Sequence, residues 1–164
     1  MKTKNAPAIQ KDYDRVEREA ATAIGYILFE FTQLDMELGL YLCWSDHSVG
    51  VEELTKKVND MNFNLRINLL KVKVQEKFSG ALNIVKKYDE WINDAHGIRE
   101  LRNELFHGRW GFDLQRQSAA NVVGLPTSPL QKSRLFTIAE LLDHKDSIRQ
   151  LRSRLADLRK SNPV

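Results

Sequence analysis

Over residues 12–44, apolar side chains recur at steps of three and four positions with no interrupting proline, which is the period of an α-helix. One stripe is expected to face the core: Ile24, Ile27, Leu28, Phe31, Leu34, Leu38 and Leu42. A second apolar set widens the surface beyond that stripe: Phe29, Met36, Leu40, Tyr41 and Trp44. Because a helix with two apolar sides is usually buried on both, the second set indicates a dimer interface. The acids between them, Glu30, Asp35 and Glu37, are interpreted as a solvated edge.

Four shorter helical patterns follow, over residues 51–58, from about 64 to 77, over 82–105 and from about 138 to 160. The apolar stripe that defines the second of these is Leu65, Leu69, Val72 and Phe78. In the third, Trp91, Ile98 and Leu105 face the core at heptad spacing. The last helix begins at a capping box, Thr137-Ile138-Ala139-Glu140.

Short apolar stretches separated by Gly, Pro and Ser replace the helical period after residue 108. They predict two or three short strands that form a hairpin, over residues 109–114, 122–125 and 130–136, with Pro126 and Pro129 in a loop. The fold class expected is therefore all-α, an up-down bundle of four main helices with a small β-hairpin or loop inserted before the C-terminal helix. Residues 1–164 are expected to form a single domain whose first ten residues are flexible.

Length and composition suit an ordinary globular domain. Of the 164 residues, 42% are hydrophobic and 29% are charged. The chain contains neither an apolar run long enough for a membrane span nor an N-terminal signal, so a cytoplasmic location is expected. The single cysteine, Cys43, excludes an internal disulfide, and the four histidines show no metal-ligand spacing, so no metal or other cofactor is expected. A net charge of +3 permits a nucleic-acid partner without requiring one.

The third helical pattern ends on a cluster of an arginine, an amide and an imidazole, Arg102, Asn103 and His107, directly before Gly108. Asn103 and His107 are four residues apart and share a helix face, and the long Arg102 side chain reaches the same anion. Arg99 precedes Asn103 by the same step of four. Because the C-terminal end of a helix repels anions, Arg102 and Arg99 must supply the attraction for a phosphate. Alternatively, the arginine is a surface residue and the amide and histidine only stabilise the helix end.

Arg-Asn-x3-His at the end of a late helix resembles the HEPN domain superfamily (higher eukaryote and prokaryote nucleotide-binding). Its ribonuclease members carry an arginine, four to six further residues and a histidine, with a polar residue after the arginine. Arg102, Asn103 and His107 occupy those positions. Residues 25–35 also resemble the first helix of bacterial HEPN-like proteins. The resemblance covers residues 15–110 and is weak or absent over 111–135.

The resemblance implies a homodimer whose cleft holds two copies of Arg102, Asn103 and His107. It implies a metal-independent endoribonuclease, a toxin or defence enzyme held in check by a cognate antitoxin or inhibitor protein. A second interpretation is a non-catalytic HEPN-type module that binds RNA or nucleotides or acts as a scaffold. A third is a helical interaction protein with no nucleic-acid partner.

Cations and one aromatic residue near the motif are candidates for RNA binding. Arg99, Arg109 and Trp110 are the expected RNA-binding residues, and Arg109 and Trp110 belong to a basic patch with Arg116, Lys132 and Arg134. The alternative for Trp110 is a place in the core of a capping hairpin. The basic C-terminal helix either lines an RNA path or is a solvated face balanced by its own aspartates.

Overall fold

The computed structural model describes residues 6–45 and 50–164, and the predicted flexibility of residues 1–5 lies outside the described residues. In this part of the chain, five helices and three strands follow one another: α1 (Ala6–Cys43), α2 (Val51–Asn59), α3 (Phe63–Lys77), α4 (Leu82–His107), β1 (Arg109–Asp113), β2 (Ser118–Val123), β3 (Lys132–Thr137) and α5 (Ile138–Ser161). No helix in this part is long and apolar enough to cross a membrane.

The predicted all-α bundle of four main helices is wrong. Helices account for 72% of the described residues, but there are five of them, and a three-stranded antiparallel sheet stands where a hairpin or loop was expected. The order of strands is β1-β2-β3, so β2 pairs on both sides. The second strand was misplaced at residues 122–125 because Ser118-Ala119-Ala120-Asn121 has small and polar residues that give little strand signal. These residues become a strand because both neighbours pair with them.

The chain divides into two compact units. The sheet unit consists of Met1–Phe29 and Leu101–Asp146, and the helical unit consists of Glu30–Glu100 and Ser147–Val164. Parts of α1, α4 and α5 occur in each unit, because the boundaries cut across these long helices.

The core of the helical unit combines large apolar side chains with satisfied polar groups. Trp91 is fully buried, and its indole nitrogen donates to the carbonyl of Leu151 at 2.9 Å. The hydroxyls of Tyr41 and Tyr88 lie 2.9 Å apart, and the Tyr88 hydroxyl also lies 2.7 Å from the carbonyl of Asn162. Buried donors that find acceptors in this way add specificity without leaving an unsatisfied polar group.

The core-facing side of α3 is not the stripe that defined this helix in the sequence. Leu65 and Val72 are exposed. A second set with the same helical spacing is buried instead: Phe63, Ile67, Leu70 and Val74. Both faces of α3 carry apolar residues, so spacing alone does not distinguish them. The tertiary partners do, because Phe63 packs edge-on against Phe31 with ring centroids 4.9 Å apart.

The first helix also buries fewer of its apolar residues than the sequence indicated. Most of the predicted core stripe is buried, but Leu28 is exposed, whereas Tyr41 from the second set lies in the core. Exposed apolar side chains recur along α1 and directly after it at steps of three, four or seven positions: Tyr26, Phe29, Met36, Leu40 and Trp44.

The sheet and the start of α5 fix the surroundings of the motif. The register sets Trp110 opposite Asn121 and Asn121 opposite Arg134, so these three side chains share one face of the sheet. The predicted capping box is confirmed. The Thr137 hydroxyl accepts from the Glu140 amide at 3.1 Å, and the Glu140 carboxylate accepts from the Thr137 amide at 2.7 Å. These bonds from Thr137 hold the pKa of Glu140 below its usual value.

Candidate functional site

The last turn of α4 carries the three motif residues. Asn103 is half-buried and His107 is exposed. The Arg102 guanidinium donates to the side-chain oxygen of Asn103 at 3.1 Å and lies over the ring of Phe106, 5.4 Å from its centroid. Arg102 is thereby oriented along the helix surface by an amide one residue away and an aromatic ring one turn away.

The end of α4 is held by the sheet. The carbonyl of Leu105 accepts from the indole nitrogen of Trp110 at 3.1 Å and from the side-chain nitrogen of Asn121 at 3.4 Å. Helix C-termini leave carbonyls without intrahelical partners, and here two strands supply donors for one of them. Asn121 is almost completely buried, and a Cβ added at Gly108 would overlap its amide. The glycine is therefore required by this close approach, which fixes the turn that contains His107.

A groove of about 820 Å³ opens beside this turn. Its lining includes three residues of α4 and three of the sheet: Asn103, Glu104, His107, Asn121, Lys132 and Arg134. The motif amide and imidazole thus face the same space as a lysine and an arginine from β3. An exposed histidine beside cations is suited to proton transfer near a phosphate.

Arg134 is already oriented within this groove. Its guanidinium lies 3.1 Å from the Glu104 carboxylate and 4.5 Å from the centroid of the Phe136 ring. Phe136 is fully buried and also packs against Trp110, with ring centroids 5.9 Å apart. The ring gives the cation a rigid support, and the carboxylate gives it an exchangeable partner.

The structure brings the three motif residues together at the end of α4. Asn103 and His107 line the groove, and Arg102 joins them through its bond to Asn103. Arg99 belongs to the helical unit, where its guanidinium lies 3.5 Å from the carboxylate of Glu100.

The two predicted RNA-binding residues of β1 make structural contacts. Arg109 is exposed and donates to the carbonyl of Gly124 at 2.9 Å. Trp110 is half-buried, with its indole nitrogen bound to Leu105 and its ring against Phe136. These contacts favour the alternative in which Trp110 belongs to the packing of the sheet.

Glu104 and Asn121 belong to the groove but were not singled out from the sequence. Asn121 carries no sequence signal, because its importance depends on the register of β2 with its neighbours. Lys132 and Arg134 were placed only in a diffuse basic patch. Their i, i+2 spacing on a strand is the signal that assigns them to one face.

Three of the five basic residues that α5 contributes to the helical unit pair with carboxylates. Arg152 pairs with both Glu30 and Glu37, Arg149 pairs with Glu30, and a further pair joins Arg154 and Asp94. Glu30 is 9% exposed, so its interpretation as part of a solvated edge is wrong.

The electrostatics of Glu30 follow from these contacts. Burial alone would raise the pKa of Glu30, but hydrogen bonds and charges from Arg149 and Arg152 outweigh burial and lower it. The pairing therefore favours a helix held by ion pairs over an α5 that lines an RNA path.

The site can combine an acid–base group with cations and amides around one groove, which is the set of groups that handles a phosphodiester without help from a thiolate or carboxylate nucleophile. No protein-family model, no curated protein and no solved structure matches this chain. The candidate site is therefore defined by its own residues and their geometry.

Proposed function

We propose that this protein is a metal-independent endoribonuclease of the HEPN type that acts as a homodimer with a composite site of Arg102, Asn103 and His107. The observation that supports it is that Asn103 and His107 face one groove at the end of α4, with Arg102 bound to Asn103. A cytoplasmic toxin or defence enzyme, with a cognate antitoxin or inhibitor protein as its partner, is the role that the resemblance suggests.

The reaction uses the ribose itself as the nucleophile. One His107 takes the proton of a 2′-hydroxyl, whose oxygen attacks the adjacent phosphorus while the bond to the 5′-oxygen breaks. The second His107 of the dimer, or a water, gives a proton to the leaving 5′-oxygen. Arg102 stabilises the charge that develops on the phosphoryl oxygens, and Asn103 orients the histidine or the phosphate. The products are a 2′,3′-cyclic phosphate and a 5′-hydroxyl, and DNA, which lacks the nucleophile, is not cut.

One mechanistic argument and one observation support a dimer. One histidine cannot serve as base and acid in the same step, whereas two copies can divide these tasks. In addition, α1 carries exposed apolar side chains, and Phe29 is 71% exposed. Exposed apolar side chains that form a contiguous patch on a small protein are typical of an interface.

The deciding experiment is cleavage of single-stranded RNA in excess EDTA by the native protein, His107→Ala and Arg102→Ala. The native protein should cut, and each variant should lose roughly two to four orders of magnitude in rate. Lys57→Ala is a control, because Lys57 is exposed on α2, lies outside the groove and should leave the rate unchanged. Sedimentation should show the same dimer for all four proteins.

If all four proteins behave alike, the catalytic proposal fails. The second candidate is then a non-catalytic module that binds RNA or nucleotides or acts as a scaffold, which Lys132 and Arg134 in the groove favour. That module predicts RNA binding that weakens as salt rises, since cation–phosphate contacts release counterions. A helical interaction protein without a nucleic-acid partner predicts no such binding.

A further inference from the structure

Strand β3 presents two cations to the groove beside the motif. Lys132 and Arg134 are two positions apart, so they lie on the same face of the sheet as Phe136. The register pairs Lys132 with Val123 and Arg134 with Asn121, and all four residues line the groove. These two cations therefore lie along one wall of the groove, and Asn103 and His107 of α4 contribute to its lining as well.

Arg134 is oriented without being locked. Its side chain is 50% exposed and that of its partner Glu104 is 31% exposed, so water screens their attraction. The ring of Phe136 supports the guanidinium from below. A phosphate entering the groove can replace the Glu104 carboxylate at little cost, because it offers the same geometry to the guanidinium with more charge.

We propose that Lys132 and Arg134 bind two successive phosphates of a single-stranded RNA beside the scissile bond, an inference that rests on the proposed ribonuclease function. Residues two apart on a strand are separated by about 6.6 Å, which suits consecutive phosphates of an extended chain. Lys132 and Arg134 are the lysine and the arginine that line the groove. When a phosphate binds, Arg134 exchanges the carboxylate of Glu104 for it. In this arrangement the sheet binds the phosphates of the RNA, and α4 carries the residues that take part in the reaction.

The test measures RNA binding rather than cutting. In the His107→Ala background, the affinity for a labelled single-stranded RNA is measured against salt concentration. Each phosphate contact contributes about 0.7 to the slope of log affinity on log salt, so losing two contacts in Lys132→Ala/Arg134→Ala should reduce the slope by about 1.4. Arg134→Lys, which keeps the charge, should keep the slope.

A double variant on α2 is the matched control. Lys56 and Lys57 are exposed and lie outside the groove, so Lys56→Ala/Lys57→Ala removes the same charge. Its slope should match that of the His107→Ala parent. Glu104→Gln should bind RNA more tightly than the parent, because the carboxylate no longer competes with phosphate for Arg134. A merely structural role for the Glu104 pair predicts equal or weaker binding instead.

The outcomes distinguish phosphate binding by Lys132 and Arg134 from the proposed ribonuclease activity. Suppose that the native protein cuts RNA in EDTA. If Lys132→Ala/Arg134→Ala then keeps the salt slope of RNA affinity, or the control loses as much slope, the proposed phosphate contacts of Lys132 and Arg134 are wrong and the ribonuclease proposal remains. If the protein neither cuts nor binds RNA, both proposals fall. If the protein binds RNA and the double variant shows the predicted loss of salt slope, but RNA is never cut, phosphate binding by Lys132 and Arg134 is supported and the catalytic proposal fails. Thermal melting of each variant shows whether it is folded.

Discussion

Arginines meet carboxylates in both units of this protein, but under different conditions. In the helical unit, Arg152 and Arg149 hold Glu30, whose side chain is only 11% exposed. In the sheet unit, Arg134 meets Glu104 with both side chains open to water. In the first arrangement two arginines share a carboxylate that is nearly buried, and in the second a single arginine pairs with a carboxylate that stays accessible to water and exchangeable.

The difference separates cations that maintain the fold from cations that are available to a ligand. A count of basic residues does not make this distinction, because α5 has six basic residues and uses three of its arginines on carboxylates. Fewer cations line the groove, but Arg134 is itself half-exposed and so remains accessible to a ligand. We expect variants in the two units to differ accordingly in stability and in RNA binding.

The largest effect on stability is expected for Glu30→Gln. Removing the carboxylate charge leaves Arg149 without this partner and Arg152 with Glu37 alone, which should lower the free energy of unfolding by about 3 kcal/mol. Urea unfolding followed by circular dichroism measures the change. A loss below about 1 kcal/mol would mean that the Glu30 cluster contributes no more to stability than the exposed pair of Arg134 and Glu104.

The sheet unit also contains a tightly packed contact, between Gly108 and the buried Asn121, beside the exchangeable pair of Arg134 and Glu104. Gly108→Ala should lower the free energy of unfolding by about 2 kcal/mol, since its Cβ would overlap the buried amide of Asn121. Adding Asn121→Ala removes the obstruction, so the double variant should lose less than the sum of the two single losses. Strict additivity in urea unfolding would show that the two residues do not interact.

Acid should weaken the helical unit through Glu30. Because its pKa is lowered from 4.5 in the folded protein, its contribution to stability is full above pH 4.5 and is lost as the pH falls through the folded pKa. The stability difference between the native protein and Glu30→Gln should therefore shrink on acidification below pH 4.5. Urea unfolding at several pH values measures it, and a difference independent of pH would rule out the ionised carboxylate as the source.

The smallest effect is expected for Glu104→Gln. An exposed pair of this kind contributes less than about 1 kcal/mol, so the free energy of unfolding should hardly change. Urea unfolding beside Glu30→Gln makes the comparison direct. A loss as large as that of Glu30→Gln would mean that Arg134 is held for stability, and the contrast between the two units would disappear.

Much of this fold could be predicted from local sequence. The long helical periods of α1, α4 and α5, and the capping box at Thr137, need only the residues nearby, and all of them are confirmed. The exposed side of α3 and the start of β2 could not be predicted, because each depends on a partner element. Glu30 was placed in water for the same reason, since its arginines lie 119 and 122 residues away in the sequence.

The candidate site divides along the same line. Arg102, Asn103 and His107 are close in sequence, so helical spacing alone groups them. Asn121 and Arg134 reach the groove only through the pairing of β2 with its neighbours, which no local pattern specifies. The local pattern therefore predicts Asn103 and His107 on the helix side of the groove but not Glu104, and it places Lys132 and Arg134 in a basic patch without the register that brings them beside Asn121.

The carbonyl of Leu105 is held by one side chain from each of the first two strands. The final turn of α4 and the sheet should accordingly open together in native-state hydrogen exchange, as one cooperative segment. Local melting of the sheet would release the turn that carries His107 while the rest of the molecule stays folded. If His107 is the proton-transfer group that we propose, activity would follow the opening equilibrium of this small segment rather than global stability.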